Sequence, residues 1–384
     1  MEPTVAMQRI YLDHQASTPV VPAALAEIFH CFSETWANPH SEDHAEGWRA
    51  SAEIEAARGR IAIAVGADAG EIVFTSGATE ANNIALLGVA AAAPDAPRRI
   101  VTIAIEHKAV LAPARALAER GWELVVVPVG RDGIVDVGAL ESALAPGAAL
   151  VSIGAANNEI GTVQPLADIA PICHRAGALF HTDAAQALAW RGVDVVDSGV
   201  DLMSLSAHKA GGPKGVGALF VAHAARDRIW PVLHGGGQEG GLRPGTLPTP
   251  LCVGFGAACD ALPDADGVAA WRAVTGRLLS GLRSIWPDLG VNGAAGAHHH
   301  PGNLSVTLPG VEVDALIARL QPRIAVSRGS ACTSGFAEPS HVLTAIGLDA
   351  QRAEATVRLS TGVATTADEV DEAVRLFGLA RDTF

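Results

Sequence analysis

The sequence has no surplus of basic residues. It contains 27 Lys and Arg against 41 Asp and Glu, which gives a formal net charge of −14 over 384 residues. A protein that binds nucleic acid regardless of sequence needs excess positive charge to neutralise phosphates, so the composition argues against this class of function. A small anionic cofactor is compatible with it, because such a ligand needs only a few local hydrogen-bond donors.

Cysteines are few, and their spacing shows no framework of pairs. There are five, without a CxxC motif: Cys31, Cys173, Cys252, Cys259 and Cys332. This pattern indicates free thiols in a reducing compartment. Residues 1–11 contain no apolar run typical of a secretory signal, and the apolar stretch 84–93 is too short to span a bilayer. We therefore expect a cytoplasmic protein.

Short β-rich runs alternate with helix-length segments between residues 71 and 222. Several runs are continuous Val, Ile, Leu and Ala blocks, as in strands that are buried on both faces. The alternation predicts an α/β fold with a mainly parallel, doubly wound sheet. The last two runs lie close together and are expected to form an antiparallel hairpin. The runs are 71–74, 99–105, 124–129, 149–153, 178–181, 202–205 and 216–221.

A Gly/Pro-rich stretch, residues 235–250, interrupts this pattern. It indicates a long functional loop followed by a change of domain. We expect a large domain over residues 21–250 and a smaller α+β domain formed by residues 1–20 and 251–384. The elements expected in the second part are a helix at 269–285 and strands at 303–306, 324–326 and 356–359.

Polar residues follow the first predicted strand, at the sheet edge where ligands of open α/β sheets bind. They are Thr75-Ser76-Gly77-Ala78-Thr79-Glu80, directly before a helix-like segment. Small residues and hydroxyls at the start of a helix form a phosphate cup, because the first N–H groups lack partners within the helix and the helix dipole favours an anion. The alternative is an ordinary helix cap at Thr79.

Three further strand ends present ionisable groups. A single histidine or aspartate there is more often a turn or cap residue, but three such ends together indicate a site. The segments are Glu106-His107-Lys108, His181-Thr182-Asp183-Ala184-Ala185-Gln186 and Ser206-Ala207-His208-Lys209.

This set of residues fits pyridoxal-phosphate chemistry, which needs a lysine for a Schiff base, an acid beside the pyridinium nitrogen and a phosphate cup. Lys209 is the candidate lysine, since desolvation and nearby positive charge make such an amine nucleophilic. Asp183 can hold the pyridinium proton, and residues 77–79 with Ser206 and His208 can hold the phosphate. Neither a P-loop motif nor a GxGxxG motif that opens a helix after a strand is present.

The chain resembles the cysteine desulfurases, and specifically the NifS/IscS-like branch of the class V aminotransferase, fold-type I group. The resemblance runs from Tyr11 to beyond Arg358, and the motifs taken in this order are highly specific. It implies pyridoxal 5′-phosphate as cofactor and a mainly parallel seven-stranded sheet in the large domain. The motifs are Thr75-Ser76-Gly77-Ala78-Thr79-Glu80-Ala81-Asn82-Asn83, Asn157-Asn158-Glu159-Ile160-Gly161, His181-Thr182-Asp183-Ala184-Ala185-Gln186, Ser206-Ala207-His208-Lys209 and Ser327-Arg328-Gly329-Ser330-Ala331-Cys332-Thr333-Ser334-Gly335.

The resemblance implies a role for each site residue. Lys209 forms the Schiff base, Asp183 pairs with the ring nitrogen, and His107 stacks on the ring and serves in proton transfer. Arg358 clamps the substrate carboxylate with two parallel hydrogen bonds. The other expected contacts are Gln186 and Asn158 near the phenolic oxygen, with Asn158 also near the substrate, Ala78, Thr79, Ser206 and His208 at the phosphate, and Thr246 at the phosphate of the other subunit of a homodimer.

By the same resemblance, Cys332 accepts the sulfur of L-cysteine as a persulfide and passes it to a protein acceptor. A cysteine is ordinarily a small buried hydrophobe, an interpretation that suits Cys252 and Cys259. The small polar neighbours of Cys332 indicate an exposed, mobile loop of the family's longer type. The acceptor is left open among iron–sulfur cluster assembly and thio-modification of tRNA, cofactors or DNA. We expect no metal site and no direct contact with nucleic acid or membrane.

Two positions depart from the family pattern, since Gly240 stands where Arg is usual and Pro244 where Ser or Ala is usual. The missing arginine could alter substrate access or the electrostatics of the thiol. Three other interpretations stay open: a selenocysteine lyase, a class V transaminase, and a non-catalytic dimeric scaffold. Cys332 in its polar loop counts against a transaminase, and Lys209 together with Cys332 counts against a scaffold.

Overall fold

The computed structural model describes residues 9–93, 97–328 and 340–381, which form three β-sheets and the helices packed around them. The strands are β1 Ile10–Tyr11, β2 Ile72–Thr75, β3 Arg99–Ile103, β4 Glu123–Val127, β5 Leu150–Ser152, β6 Leu179–Asp183, β7 Leu202–Ser206, β8 Gly217–Val221, β9 Gly290–Val291, β10 Asn303–Thr307, β11 Ile324–Ala325 and β12 Thr356–Ser360. The α-helices are α1 Pro22–Glu34, α2 Ala45–Val65, α3 Ala78–Ala92, α4 Lys108–Ala118, α5 Val137–Leu144, α6 Leu166–Arg175, α7 Val195–Ser198, α8 Thr249–Asp260, α9 Ala265–Ile285, α10 Val313–Leu320, α11 His341–Ala345, α12 Ala350–Glu354 and α13 Ala367–Arg381.

The large sheet has seven strands in the order β2-β8-β7-β6-β5-β3-β4. Strands β3 to β7 are parallel to one another, and β8 is antiparallel to both of its neighbours, β7 and β2. Each of the seven predicted runs overlaps one of these strands. The predicted α/β fold with a mainly parallel seven-stranded sheet is therefore confirmed, as is the antiparallel hairpin of β7 and β8.

Both faces of the large sheet are buried. On β3, Val101 belongs to one apolar core and the adjacent Ile100 to another. Because side chains alternate across a strand, these cores lie on opposite faces of the sheet. Ile84 of α3 packs into the core that contains Ile100, and Ile169 of α6 packs into the core that contains Val101. The continuous apolar character of the strands follows from this double coverage.

A three-stranded antiparallel sheet, in the order β12-β10-β9, and the parallel pair β1 with β11 form a separate unit of structure. Its core joins Leu12 to Leu278, Val306 and Phe377. The N-terminal segment thus packs with the C-terminal third of the chain. Helix α8 packs instead on α1 and α2. The domain boundaries given above stay a prediction.

Four of the five cysteines lie among the described residues, and all four are buried free thiols: Cys31, Cys173, Cys252 and Cys259. Burial raises the pKa of Cys173, Cys252 and Cys259 to about 12. These thiols are therefore protonated and inert at neutral pH. Cys332 falls in residues 329–339, outside the described residues. No described helix has both the length and the apolar character that a membrane span requires.

Candidate active site

A cavity of about 490 Å³ opens at the carboxyl ends of the parallel strands. All predicted site residues line it except Thr246 and Cys332; Thr246 is exposed in the loop after β8, and Cys332 lies outside the described residues. Segments far apart in sequence meet here because the ends of parallel strands share one edge of a sheet. The residues that line it are Ala78, Thr79, His107, Asn158, Asp183, Gln186, Ser206, His208, Lys209 and Arg358.

The turn between β2 and α3 supplies the start of a helix to this cavity. Helix α3 begins at Ala78 with Gly77 as N-cap, and no side chain caps it. Gly77 has a φ of 149°, and a Cβ on Gly217 of β8 would stand 2.6 Å from the Gly77 Cα. Both positions therefore need glycine. The cap expected as an alternative at Thr79 is not formed, which favours the phosphate-cup interpretation.

Glu80 ties this cup to the Gly/Pro-rich stretch. Its carboxylate accepts hydrogen bonds from the Ser76 N–H at 2.6 Å and from Arg243 Nε at 2.8 Å. Burial opposes ionisation of Glu80, but the bonds from Arg243 and Ser76 outweigh it and lower the pKa of this carboxyl. Glu80 is thus a charged support of the cup and not a proton donor.

Lys209 lies in a 3₁₀ turn directly after β7. Its Nζ donates to the main-chain oxygens of Gln15 at 2.6 Å and Ala16 at 2.9 Å. The neighbouring His208 imidazole has its pKa lowered to about 4, first by burial and then by the positive charges of Lys209 and Lys214. At neutral pH His208 is therefore neutral, and it can donate a hydrogen bond to an anion without adding charge.

Asp183 at the end of β6 is held by neutral donors. Its Oδ2 accepts from Asn82 Nδ2 at 2.7 Å, and its Oδ1 accepts from the Ala185 N–H at 3.0 Å. Asn82 is fully buried on α3, one turn after the cup. This asparagine was missed as a site residue, although a polar side chain one turn into an otherwise apolar helix face is a detectable signal.

His107 is the N-cap of α4, and its Nδ1 accepts from the Ala109 N–H at 3.1 Å. The proton of the neutral ring is therefore on Nε2. Burial lowers the pKa of His107; Lys209 and His341 lower it further, against the opposing effect of Asp183. A neutral imidazole with a defined tautomer thus faces the cavity.

Arg358 on β12 brings the second unit of structure to the cavity. Its Nη2 donates to Asp13 Oδ1 at 2.7 Å, and its Nη1 donates to the main-chain oxygen of Asn158 at 2.7 Å. The residue is only 2% exposed. A buried guanidinium held by these two partners has a fixed orientation, as recognition of a carboxylate requires.

The stretch 235–250, which carries both departures from the family pattern, is held by a buried ion pair. Glu239 accepts from Nη1 and Nη2 of Arg58, both at 2.8 Å, and from the Phe74 N–H at 2.6 Å. At Gly240 a Cβ would stand 2.6 Å from Nη2 of Arg226, which donates a hydrogen bond to the main-chain oxygen of Glu239. A guanidinium from elsewhere in the chain thus lies beside Gly240.

Comparison with known proteins gives the family. The model of the class-V aminotransferase family matches residues 10–373. The chain belongs to this family. Among curated class-V relatives, it is 45% identical over 369 residues (96% of this chain, 81% of that protein) to the Arabidopsis thaliana cysteine desulfurase named as mitochondrial. It is 44% identical over 368 residues (95% and 74%) to an Eremothecium gossypii protein of the same name. A Rickettsia bellii cysteine desulfurase IscS is 41% identical over 372 residues (96% and 90%).

Solved structures of other family members agree with the fold. A NifS-like protein superposes with a TM-score of 0.91 at 34% identity, covering 98% of this chain and all of that one. A structure described as SspA in complex with cysteine has a TM-score of 0.82 at 37% identity, covering 93% of this chain and 99% of that one. Membership in the cysteine-desulfurase branch that the motifs indicated is thereby confirmed.

One prediction from the sequence is wrong. A cytoplasmic protein was expected, but the Arabidopsis and Eremothecium relatives are named as mitochondrial. Free thiols indicate a reducing compartment without telling the cytosol from the mitochondrial matrix, because both keep cysteines reduced.

Proposed function

We propose that this protein is a pyridoxal-phosphate-dependent cysteine desulfurase that transfers the sulfur of L-cysteine to Cys332. The observation that carries the proposal is that Lys209, Asp183 and the uncapped start of α3 surround one cavity, which Arg358 also lines. The names of the relatives support the same activity.

The residues of the cavity fit this cofactor. Gly217 lets β8 pack against the Gly77 backbone, and the helix that follows Gly77 starts without a side-chain cap, so its first N–H groups suit a phosphate. Asp183 keeps a lone pair on Oδ2 beside its bond from Asn82, which suits a protonated ring nitrogen. Lys209 supplies the amine for the aldehyde. We assign the phosphate to Ala78, Thr79, Ser206 and His208 of one subunit and Thr246 of a second, the ring face to His107, and the phenolic oxygen to Gln186 and Asn158.

When bound, the cofactor acts as an electron sink that makes the Cα–H of the amino acid acidic. Arg358 binds the substrate carboxylate and fixes the direction of the Cα–H bond. Lys209 Nζ takes the Cα proton once the amine is released. His107, whose Nε2 carries the proton, donates to the carbon that loses sulfur.

Sulfur transfer needs a thiolate, and Cys332 is the proposed one. Its Sγ bonds to the substrate sulfur while the sulfur–carbon bond breaks; the electron pair passes to the carbon skeleton, which takes up a proton and leaves as L-alanine. The four described cysteines are buried, which supports this choice. Ser327, five residues before Cys332, exchanges main-chain hydrogen bonds with Arg358. Arg358 lines the cavity, and five extended residues can span up to about 18 Å, so a chain of this length that starts at Ser327 is long enough to bring a thiol to the cavity.

The test is the visible spectrum of the purified protein before and after L-cysteine and a reductant, with sulfide and alanine assayed together. Wild type should release equal amounts of both. Cys332→Ser should keep the cofactor absorbance and lose sulfide release, whereas Lys209→Ala should lose the absorbance of the covalently bound cofactor. Full desulfuration by the Cys332→Ser variant would rule out the persulfide step, and absence of any cofactor absorbance would rule out the cofactor.

A further inference from the structure

Glu106 occupies the point where the strand order of the large sheet reverses. From β3 the chain passes outward to β4, and then to β5 on the other side of β3. In doubly wound sheets the crevice outside the strand ends at such a reversal is where ligands bind. Glu106 follows β3 and Gly154 follows β5, and Glu106 Oε1 accepts from the Gly154 N–H at 2.7 Å. The Glu106 side chain therefore bridges this crevice.

The carboxyl of Glu106 is buried with little to stabilise a charge. The residue is 3% exposed, and it lines the cavity. Among the described residues its carboxyl has one hydrogen-bond donor, the Gly154 N–H, and no cation within 4 Å. A buried carboxylate in such surroundings is costly, so the group takes up a proton instead. Burial raises the pKa of Glu106 to about 8; the Gly154 bond opposes this rise and the Asp183 charge adds to it.

Among the described residues, the charge that shifts the pKa of Glu106 is that of Asp183. Asp183 of β6 is negative and disfavours a second charge. His107 and Lys209 line the same cavity, and His341 of α11 donates from Nε2 to the Glu106 main-chain oxygen at 3.0 Å. The main chain and the side chain of Glu106 are thus both fixed, and its carboxyl lies between two strand ends that shape the cavity.

We propose that Glu106 is a positioning residue that bridges the β3 and β5 ends in its neutral, protonated form. The bridge holds His107, the next residue in the chain, against the cofactor that the proposed function requires. Because the bridge is uncharged, the negative charge at this end of the cavity stays on Asp183. The role of Glu106 in positioning His107 rests on the proposed function, whereas its protonation state does not.

The first test uses unfolding of the cofactor-free protein by urea, for wild type and Glu106→Gln, between pH 5 and pH 9.5. The folded pKa of Glu106 lies above the unfolded value, so the native state holds a proton that the unfolded chain has released. Wild type should therefore lose stability relative to Glu106→Gln as pH rises to about 8. Above about pH 9 the difference should be constant. A difference that is constant across the whole range would overturn the proposal.

The second test measures pyridoxal phosphate affinity at pH 6.5. Glu106→Gln keeps an acceptor for the Gly154 N–H and no charge, so its affinity should stay within about twofold of wild type. Glu106→Leu leaves that N–H unpaired and should weaken affinity by about tenfold or more. Glu159→Gln is the matched control: Glu159 is also buried with a raised pKa, but it bonds Ser340 and does not line the cavity. Its affinity should equal that of wild type.

Equal weakening by Glu106→Gln and Glu106→Leu would mean that the ionised form is the working one, and would overturn the proposal. If wild type itself binds no pyridoxal phosphate, the proposed function fails, while the urea comparison still decides the protonation state of Glu106.

Discussion

The two ends of the cavity hold their charged groups in different ways. Asp183, in the part of the cavity proposed to hold the cofactor (the cofactor end), is bonded by neutral donors, Asn82 and the Ala185 N–H. Arg358, in the part proposed to bind the substrate (the substrate end), is bonded by a carboxylate and a carbonyl, from Asp13 and Asn158. Asp183 therefore keeps its full charge for a ligand, whereas Arg358 has part of its charge balanced before a ligand arrives.

This difference follows the chemistry proposed for each end. A cofactor that stays bound can be held by a permanent charge that no opposite charge of the protein balances. A substrate that must arrive and leave at every turnover is better served by a fixed guanidinium whose partial pairing lowers the cost of its burial. The contact that orients Arg358 joins residues 345 positions apart, Asp13 with Arg358, whereas Asn82 and Asp183 are 101 positions apart.

The largest effect is expected at the substrate end, from Arg358→Lys. A lysine cannot reproduce the planar, two-pronged geometry, so kcat/KM for L-cysteine should fall by about 100-fold or more while the cofactor absorbance is kept. Arg352→Lys, on the exposed surface of α12, is the control and should have no effect. Cysteamine lacks the carboxylate, so Arg358→Lys should lower its reaction rate much less than that of L-cysteine. An equal fold-loss for both substrates would mean that Arg358 does not act through the carboxylate.

The next effect concerns the support of the cofactor end. Glu239→Gln removes the negative charge that pairs with the buried guanidinium of Arg58, and loss of one partner of a buried pair costs about 3–5 kcal/mol. We expect the free energy of unfolding, measured in urea, to fall by about 3 kcal/mol, because Arg58 keeps its contact with Glu55. Glu55→Gln removes the exposed partner of the same arginine and should change stability by less than about 1 kcal/mol. Equal effects would mean that the pair is not insulated from solvent.

Asn82→Ala tests the neutral donors around Asp183. A hydrogen bond to a charged group contributes about 1.5–3 kcal/mol, so cofactor affinity should fall roughly 10- to 100-fold. Asn83→Ala is the matched control, because among the described residues the Asn83 side chain bonds the Thr79 main-chain oxygen and not Asp183. Unchanged cofactor affinity in Asn82→Ala would show that Asp183 needs no neutral donor from Asn82 to bind the cofactor. The difference described between the cofactor end and the substrate end would then have no effect on binding.

The sequence predicted which residues line the cavity better than it predicted the contacts that support them, for a physical reason. Asp183 and Lys209 follow predicted strands, so their place at one sheet edge follows from the parallel arrangement alone. The bridge from Glu106 to Gly154 depends on β3 lying beside β5. The sequence of a strand does not determine which other strand lies next to it in the sheet. The pairs Arg58–Glu239 and Asp13–Arg358 join residues 181 and 345 positions apart. No local pattern marks such partners.

The smallest effect is expected at Gly240, where the chain departs from its family. Its φ of +60° is costly for a residue with a Cβ, by about 1–2 kcal/mol, so Gly240→Ala should lower stability by that amount in urea unfolding. The nearby Arg226 Nη2 adds little, because the end of a flexible side chain can move. Gly59→Ala, inside α2 with open space around it, should raise stability by about 0.5–1 kcal/mol. Stability unchanged in Gly240→Ala would mean that the loop relaxes freely, and that the Glu239 ion pair fixes less of the cofactor end than its geometry indicates.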